Sequence, residues 1–214
     1  IVKVFRMKMD RRGWHTIHEQ HMRHRLTEAL CGYHEKYPYR YGMKKAEIHM
    51  TYMKKVKLNV FDLYVEMLSE EGALKRHQEF LQLPEFEVRK DSVYEKVLKT
   101  VQKQFEKAQF DFQRFSEISF GNIKREEVED IMLLLIDEDI VVKITEDIYT
   151  LKSIIEKAKE VIQNRLKENP LITIAEVRDL LGTSRKSAKP ILEYMDSIKV
   201  TKKNGTESER VAYV

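Results

Sequence analysis

The sequence predicts a mostly α-helical fold with small β-hairpins, laid out as similar modules in tandem. Three observations lead there. Of the 214 residues, 42% are apolar and 35% charged, with only 7 Gly and 4 Pro, a mix that suits several small helical cores rather than a disordered chain. Apolar residues recur at helical spacing in capped runs, and each set of runs ends in two short strand-like runs around a turn. That order then recurs along the chain at intervals of about 60 to 75 residues, the mark of an internal repeat.

The clearest copy is 153–214. Ile154, Ile155, Ala158, Val161, Ile162 and Leu166 predict a helix over 153–168, stopped by Asn169-Pro170. Thr173 with Glu176 forms a capping box that opens a second helix, with Ile174, Val177, Leu180 and Leu181 facing inward. Gly182-Thr183 makes a turn, and Ser184 is placed to cap a third helix. In that helix Ala188, Ile191, Leu192 and Met195 point inward while Arg185, Lys186, Lys189 and Glu193 point out. Pro190 removes a backbone bond inside the helix and should bend it. Ile198–Val200 and Arg210–Val214 flank Lys-Lys-Asn-Gly and read as a hairpin. Three helices and a terminal hairpin, with a short turn before the third helix, make a winged helix-turn-helix.

Two further copies lie upstream. In 92–152, Val93, Val97, Leu98, Val101 and Phe105 mark a first helix, and a short helix follows near Phe112–Ile118. Asn122 is placed to cap a helix through Val128, Ile131, Met132 and Leu135, and a hairpin spans Ile140–Ile144 and Ile148–Leu151. In 14–91 a long helix ends near His34, Pro38 and Gly42 punctuate a loop, helices follow near 44–53 and 60–71, and a hairpin around Leu74–Val88 closes the unit. Residues 1–13 read as the last strand of a preceding unit. The missing initial methionine suggests a piece of a longer protein.

Charge separates the copies. Net charge is +4, but residues 1–13 carry five cations against one anion, and residues 92–152 nine against thirteen. Residues 183–203 alone hold Arg185, Lys186, Lys189, Lys199, Lys202 and Lys203 against Glu193 and Asp196. A polyanion would meet an end of the chain, not its middle. No stretch approaches the roughly 18 apolar residues of a membrane span, and no signal peptide opens the chain. Cys31 is the single cysteine, which excludes an intrachain disulfide and suits a reducing cytoplasm.

Catalysis has little support, because phosphate-binding loops, nucleophile elbows and zinc-protease motifs are all missing from the sequence. His15, His18, His21 and His24 fall every third residue. Neighbouring pairs can share a metal, but four such positions drift around a helix and cannot converge. Tyr33, Tyr37, Tyr39 and Tyr41 alternate with Lys36 and Arg40; they suit either base stacking or, as we favour, a loop wedged between helices. The nine methionines read as core filler. What stands out is Ser-Arg-Lys at the start of the third helix of 153–214. A helix amino end offers free N–H groups and a positive dipole end to phosphate oxygens, and Arg185 and Lys186 add full charges there. Arg185 can also fork onto a guanine edge or a phosphate. The matching helix of 92–152 carries Glu126, Glu127, Glu129 and Asp130, expected outward, which would repel a polyanion.

The run Thr173-Ile-Ala-Glu-Val-Arg-Asp-Leu-Leu-Gly-Thr-Ser-Arg-Lys-Ser-Ala-Lys-Pro-Ile-Leu-Glu-Tyr-Met-Asp196 closely resembles the last winged helix of the SelB family of selenocysteine-specific elongation factors. Tyr33-His-Glu-Lys-Tyr-Pro-Tyr-Arg-Tyr-Gly-Met43 is similar to that family's second carboxyl-terminal winged helix. The resemblance implies that 14–91, 92–152 and 153–214 are the second to fourth of four winged helices, with 1–13 the end of the first. It implies a cytoplasmic, monomeric RNA-binding fragment without catalytic residues, metal or cofactor of its own, GTP and Mg²⁺ belonging to an upstream domain. Its partners would be the SECIS hairpin of selenoprotein mRNA, the ribosome (through ribosomal RNA and residues 1–91) and, through upstream domains, selenocysteyl-tRNA. Carried over by motif, Thr183, Ser184, Arg185, Lys186 and Lys189 occupy the helix-start contact region, and Lys202, Lys203, Gly205 and Arg210 the wing. Two features depart from the pattern. Ser187 stands where the family pattern has tyrosine, and the wing, Lys-Lys-Asn-Gly-Thr-Glu-Ser-Glu-Arg, is longer and more acidic. Without the resemblance, the same fold reads as a DNA-binding regulator or a protein-interaction scaffold.

Overall fold

The computed structural model describes residues 16–213, with side chains from Glu19 onward. The strand expected in 1–13 and the side chains of His15 and His18 lie outside the described residues. The chain divides into two compact units at Lys90/Asp91.

In the first unit, α1 (Thr16–Lys36) is followed by β1 (Met43–Lys44), α2 (Lys45–Tyr52), α3 (Leu58–Glu70), β2 (Lys75–His77) and β3 (Phe80–Gln82). The strands form an antiparallel sheet in the order β1-β3-β2. Leu26 and Leu30 of α1 close on Ile48, Phe61, Leu68 and Leu81, all buried. Gly42 lets the loop before β1 pass directly against the carbonyl of Leu81, where a Cβ would have no room. His34 is buried, accepts the Leu83 N–H at Nε2 (3.2 Å) and stacks on Phe86 with centroids 3.6 Å apart. Burial pushes its pKa down, against the opposing charge of Glu85.

The tyrosines serve the loop, as favoured. Tyr39 is buried, Tyr37 packs on Tyr33 at 4.8 Å with the Arg40 guanidinium 4.0 Å from its ring centre, and Tyr41 stacks on His77. Met22, Met43, Met53 and Met67 are core residues here, whereas Met50 is exposed.

The second unit holds two copies of the same element order. The first has α4 (Ser92–Ala108), a 3₁₀ turn at Phe115–Glu117, α5 (Arg125–Asp137), β4 (Val141–Thr145) and β5 (Ile148–Leu151). An isolated bridge between Arg114 and Ile148 stands where the other copies have a short first strand. Asp91 caps α4, accepting from the N–H groups of Val93 and Tyr94. Lys124, not Asn122, is the N-cap of α5. Asn122 lies too early, just after Gly121, whose φ of +67° turns the chain before the helix begins.

The second copy has α6 (Lys152–Glu168), β6 (Leu171–Thr173), α7 (Ile174–Leu181), α8 (Arg185–Ser197), β7 (Thr201–Asn204) and β8 (Thr206–Ala212), with sheet order β6-β8-β7. The capping box forms: Thr173 Oγ1 accepts from Glu176 N–H (3.2 Å) and Glu176 Oε2 accepts from Thr173 N–H (2.9 Å). Burial raises the Glu176 pKa, but these bonds and Arg165, 2.6 Å away, hold it below the ordinary carboxylate range. The strand expected at Ile198–Val200 is displaced: Ile198 is the C-cap of α8, Lys199 takes a φ of +58°, and β7 starts at Thr201. α8 runs on through Pro190.

No linker separates the two copies, because β5 ends at Leu151 and α6 begins at Lys152. Val142 of β4 belongs to the core formed by Ile155, Ile162, Leu192 and Met195, with Phe110 and Phe112 packed against it. The hairpin of one winged helix is therefore built into the core of the next, and the two form one body.

Candidate nucleic-acid interface

Gly182 takes the left-handed conformation (φ +59°) that ends α7, which Thr183 N–H seals on the Arg178 carbonyl (3.0 Å). α8 then starts within three residues. Ser184 is its N-cap, but its hydroxyl does not cap the helix. It donates to Asp111 Oδ1 (2.8 Å), in the loop after α4. Thr183 Oγ1 donates to the Phe110 carbonyl (2.6 Å), and the buried Ser187 accepts from the Phe112 N–H (3.0 Å) and donates to Asp111 (3.3 Å). The first turn of α8 is thus seated on the preceding winged helix, with a carboxylate beside its amino end. The small side chain of Ser187 lets the backbone of Phe112 approach this closely.

Arg185 and Lys186 project from the same turn into solvent and make no ion pair among the described residues. Lys189, one turn on, is 3.7 Å from Glu193. The hairpin follows α8 in the chain. Lys202 and Lys203 lie in strand β7, not in the turn, which is made by Gly205 at φ +74°. Lys202 is exposed, with its ammonium 5.9 Å from the Tyr213 ring. Lys203 is bound to Glu207 at 2.6 Å. That bond, then the charges of Lys203, Lys189 and Arg210, hold the Glu207 carboxyl below its ordinary pKa. Because Lys189 contributes, the hairpin tip and the outer face of α8 share one electrostatic field.

Arg210, expected among the contact residues, is turned inward and only 1% exposed. Its Nε donates to Asp196 Oδ2 (2.7 Å) and its Nη1 to the carbonyls of Glu207 and Glu209. Asp196 also accepts from Thr201 Oγ1 (2.7 Å). Arg210 and Asp196 fasten the end of α8 to both strands of the wing, so Arg210 positions the surface without belonging to it. The open part of the expected site is Arg185, Lys186, Lys189, Lys202 and the Gly205 turn. Thr183 and Ser184 hold the site to its neighbour.

α5 presents the opposite surface. Glu126 and Glu129 are exposed and Arg125 is paired to Glu129 at 2.9 Å. Asp130, expected outward, is buried (8% exposed), since it falls on the side of the helix that carries Ile131 and Leu134. Among the described residues no group of three or more metal-ligating side chains converges, and His24 pairs instead with Glu28. No described helix is long and apolar enough to cross a membrane.

Sequence reasoning missed Asp111 and Asp196. Asp111 meets α8 across more than seventy residues, and no local spacing encodes such a contact. Asp196 had a signal, an acid in the last turn of a helix that opens Arg-Lys.

Two family models described as winged helices of elongation factor SelB match this chain, over residues 27–83 and 164–208. The selenocysteine-specific elongation factor of Desulfomicrobium baculatum is 24% identical over 185 residues, covering 85% of this chain; the chain spans 29% of that relative's length. Among solved structures, the mRNA-binding domain of elongation factor SelB from E. coli in complex with SECIS RNA overlaps 58% of this chain and 100% of its own, at 19% identity and a TM-score of 0.49. A bacterial selenocysteine-specific elongation factor EF-Sec overlaps 91% of this chain and 29% of its own, at 18% identity and a TM-score of 0.48. Winged-helix models of one family thus match a stretch of each compact unit, and over those stretches the chain is similar to the winged-helix region of SelB, the selenocysteine-specific elongation factor.

Proposed function

We propose that this chain is the mRNA-binding arm of its factor: the mouth of α8 and the wing hold a SECIS hairpin and so tether the factor where UGA is recoded as selenocysteine. The observation that carries this reading is the unpaired Arg185–Lys186 pair at a helix amino end, in the same winged helix as the exposed Lys202. Phosphates on either side of an extruded loop base suit such a site, because A-form RNA hides its major-groove edges and exposes loop bases. GTP and Mg²⁺ belong, in this reading, to domains upstream, as do contacts to selenocysteyl-tRNA. Holding mRNA on one end of a chain whose other end serves the ribosome raises the local concentration of the factor at its codon. The chain works in the cytoplasm, as a monomer.

Binding to the source organism's own SECIS hairpin, titrated against salt with a scrambled-loop hairpin and a DNA duplex as competitors, tests this. Loop-dependent binding that Arg185→Ala weakens by about 1–3 kcal/mol, the range for one good bidentate contact, supports it. Equal, steeply salt-dependent binding to all three would reduce the patch to general electrostatics. Preference for the duplex would favour a DNA-binding regulator.

A further inference from the structure

We infer that the first unit carries a second RNA site of its own, a cleft that takes an unpaired nucleotide with its phosphate. The cleft, about 540 Å³, lies between α1 and the turn joining α2 to α3, a volume within the roughly 300–1,000 Å³ of small-ligand sites. His21 and Arg25 of α1, Tyr52 of α2, and Met53, Lys54 and Lys55 of the turn line it. No carboxylate lines it. Arg25, Lys54 and Lys55 are exposed and make no ion pair among the described residues, although residues 14–91 hold 12 acids against 13 bases. Four positive or protonatable groups in a partly apolar lining, with one tyrosine, match a phosphate beside a base: cations for the backbone, a ring and a thioether for the π-face.

Position in the repeat gives independent support. Residues 53–57, Met-Lys-Lys-Val-Lys, form the turn before the third helix of their winged helix. The mouth of α8, with Arg185 and Lys186, occupies the same place in the last one. In the middle copy the corresponding Arg125 is tied to Glu129 and lies 4.3 Å from the Phe115 ring centre. The outer two copies therefore each leave at least two cations free near this place, where the middle one leaves Lys124 alone. The turn of the first unit is also held in shape. Val56 N–H donates to the Met53 carbonyl (2.8 Å), and the Val56 carbonyl contacts His49 Nε2 (2.7 Å). A ligand there need not order the backbone first.

RNA is chosen over other polyanions because the last unit is read as an RNA site, so this inference rests on that reading for the ligand's class. The test uses the full chain carrying Arg185→Ala and Lys186→Ala, which disables the α8 site, and a fluorescent ten-nucleotide oligouridylate, with heparin and polyglutamate as competitors. Adding Lys54→Ala and Lys55→Ala should weaken oligouridylate binding about tenfold or more, and Tyr52→Leu several-fold. In the otherwise unaltered chain, Lys54→Ala with Lys55→Ala should change SECIS-hairpin affinity less than twofold. Unchanged oligouridylate binding overturns the second site, as does competition by polyglutamate equal to that by RNA. Loss of hairpin binding in the Arg185→Ala chain is a separate readout, so failure of the α8 reading is told apart from failure of this one.

Discussion

α5 and α8 are the same piece of architecture with opposite surfaces. Each is 13 residues long and precedes the hairpin of its winged helix. Both bury an aliphatic stripe, Val128, Ile131 and Leu135 in one and Ala188, Ile191, Leu192 and Met195 in the other. Yet α5 opens Arg-Glu-Glu and α8 opens Arg-Lys-Ser. The fold constrains the inward stripe and leaves the outward charges free, so one scaffold yields a surface that repels polyanions and another that attracts them. The pairing of arginines sharpens the contrast. Arg125 is spent on Glu129, whereas Arg185 is left open to solvent, where a bare cation keeps its full value for a phosphate.

The largest effect should come from breaking the frame that gives α8 its wing. Arg210→Ala leaves Asp196 and two carbonyls without their donor, and should destabilise the second unit by about 3 kcal/mol, seen as a lower thermal midpoint for that unit alone. The reciprocal substitution in α5, Arg125→Ala, removes an exposed pair and should cost less than about 1 kcal/mol in the same melt. Next in size is the seat on Asp111. Asp111→Ala removes the carboxylate that accepts from Ser184 and from the buried Ser187 and should cost about 1–3 kcal/mol. Faster amide exchange at Phe112 and in the first turn of α8 should accompany it, and unaltered exchange there would mean the two copies are held by their shared apolar core alone. The smallest effect lies in the first unit. Its buried His34 has a lowered pKa, so below about pH 6.5 the unfolded chain binds protons that the folded one resists. The first unit should lose stability as pH falls from 7.5 toward 5, and His34→Gln should flatten that dependence.

Much of this comparison was legible beforehand, element by element. Helical periodicity, the Thr173–Glu176 box and the glycine turns are local signals, and they placed all the main helices of the described residues within a few positions. The errors share a cause. Asn122 looked like a cap because its chemistry suits one, but the helix start is set by where Val128 and Ile131 can enter the core. Asp130 and Arg210 looked like surface charges, since charged residues seldom lie fully buried unless paired. Arg210 is buried because Asp196 supplies that pairing from fourteen residues away. The Asp111 seat was invisible for a different reason: it joins two repeats, and periodicity within each says nothing about how one docks on the next.

The most direct measurement is a charge exchange between the two helices, read by SECIS-hairpin affinity at several salt concentrations. One variant carries Arg185→Glu with Lys186→Glu, the other Glu126→Lys with Glu127→Lys. The first should abolish loop-dependent binding, and the second should add only weak, steeply salt-dependent affinity that a scrambled loop shares. If the first leaves loop-dependent hairpin affinity intact, the mouth of α8 is not where the RNA is held.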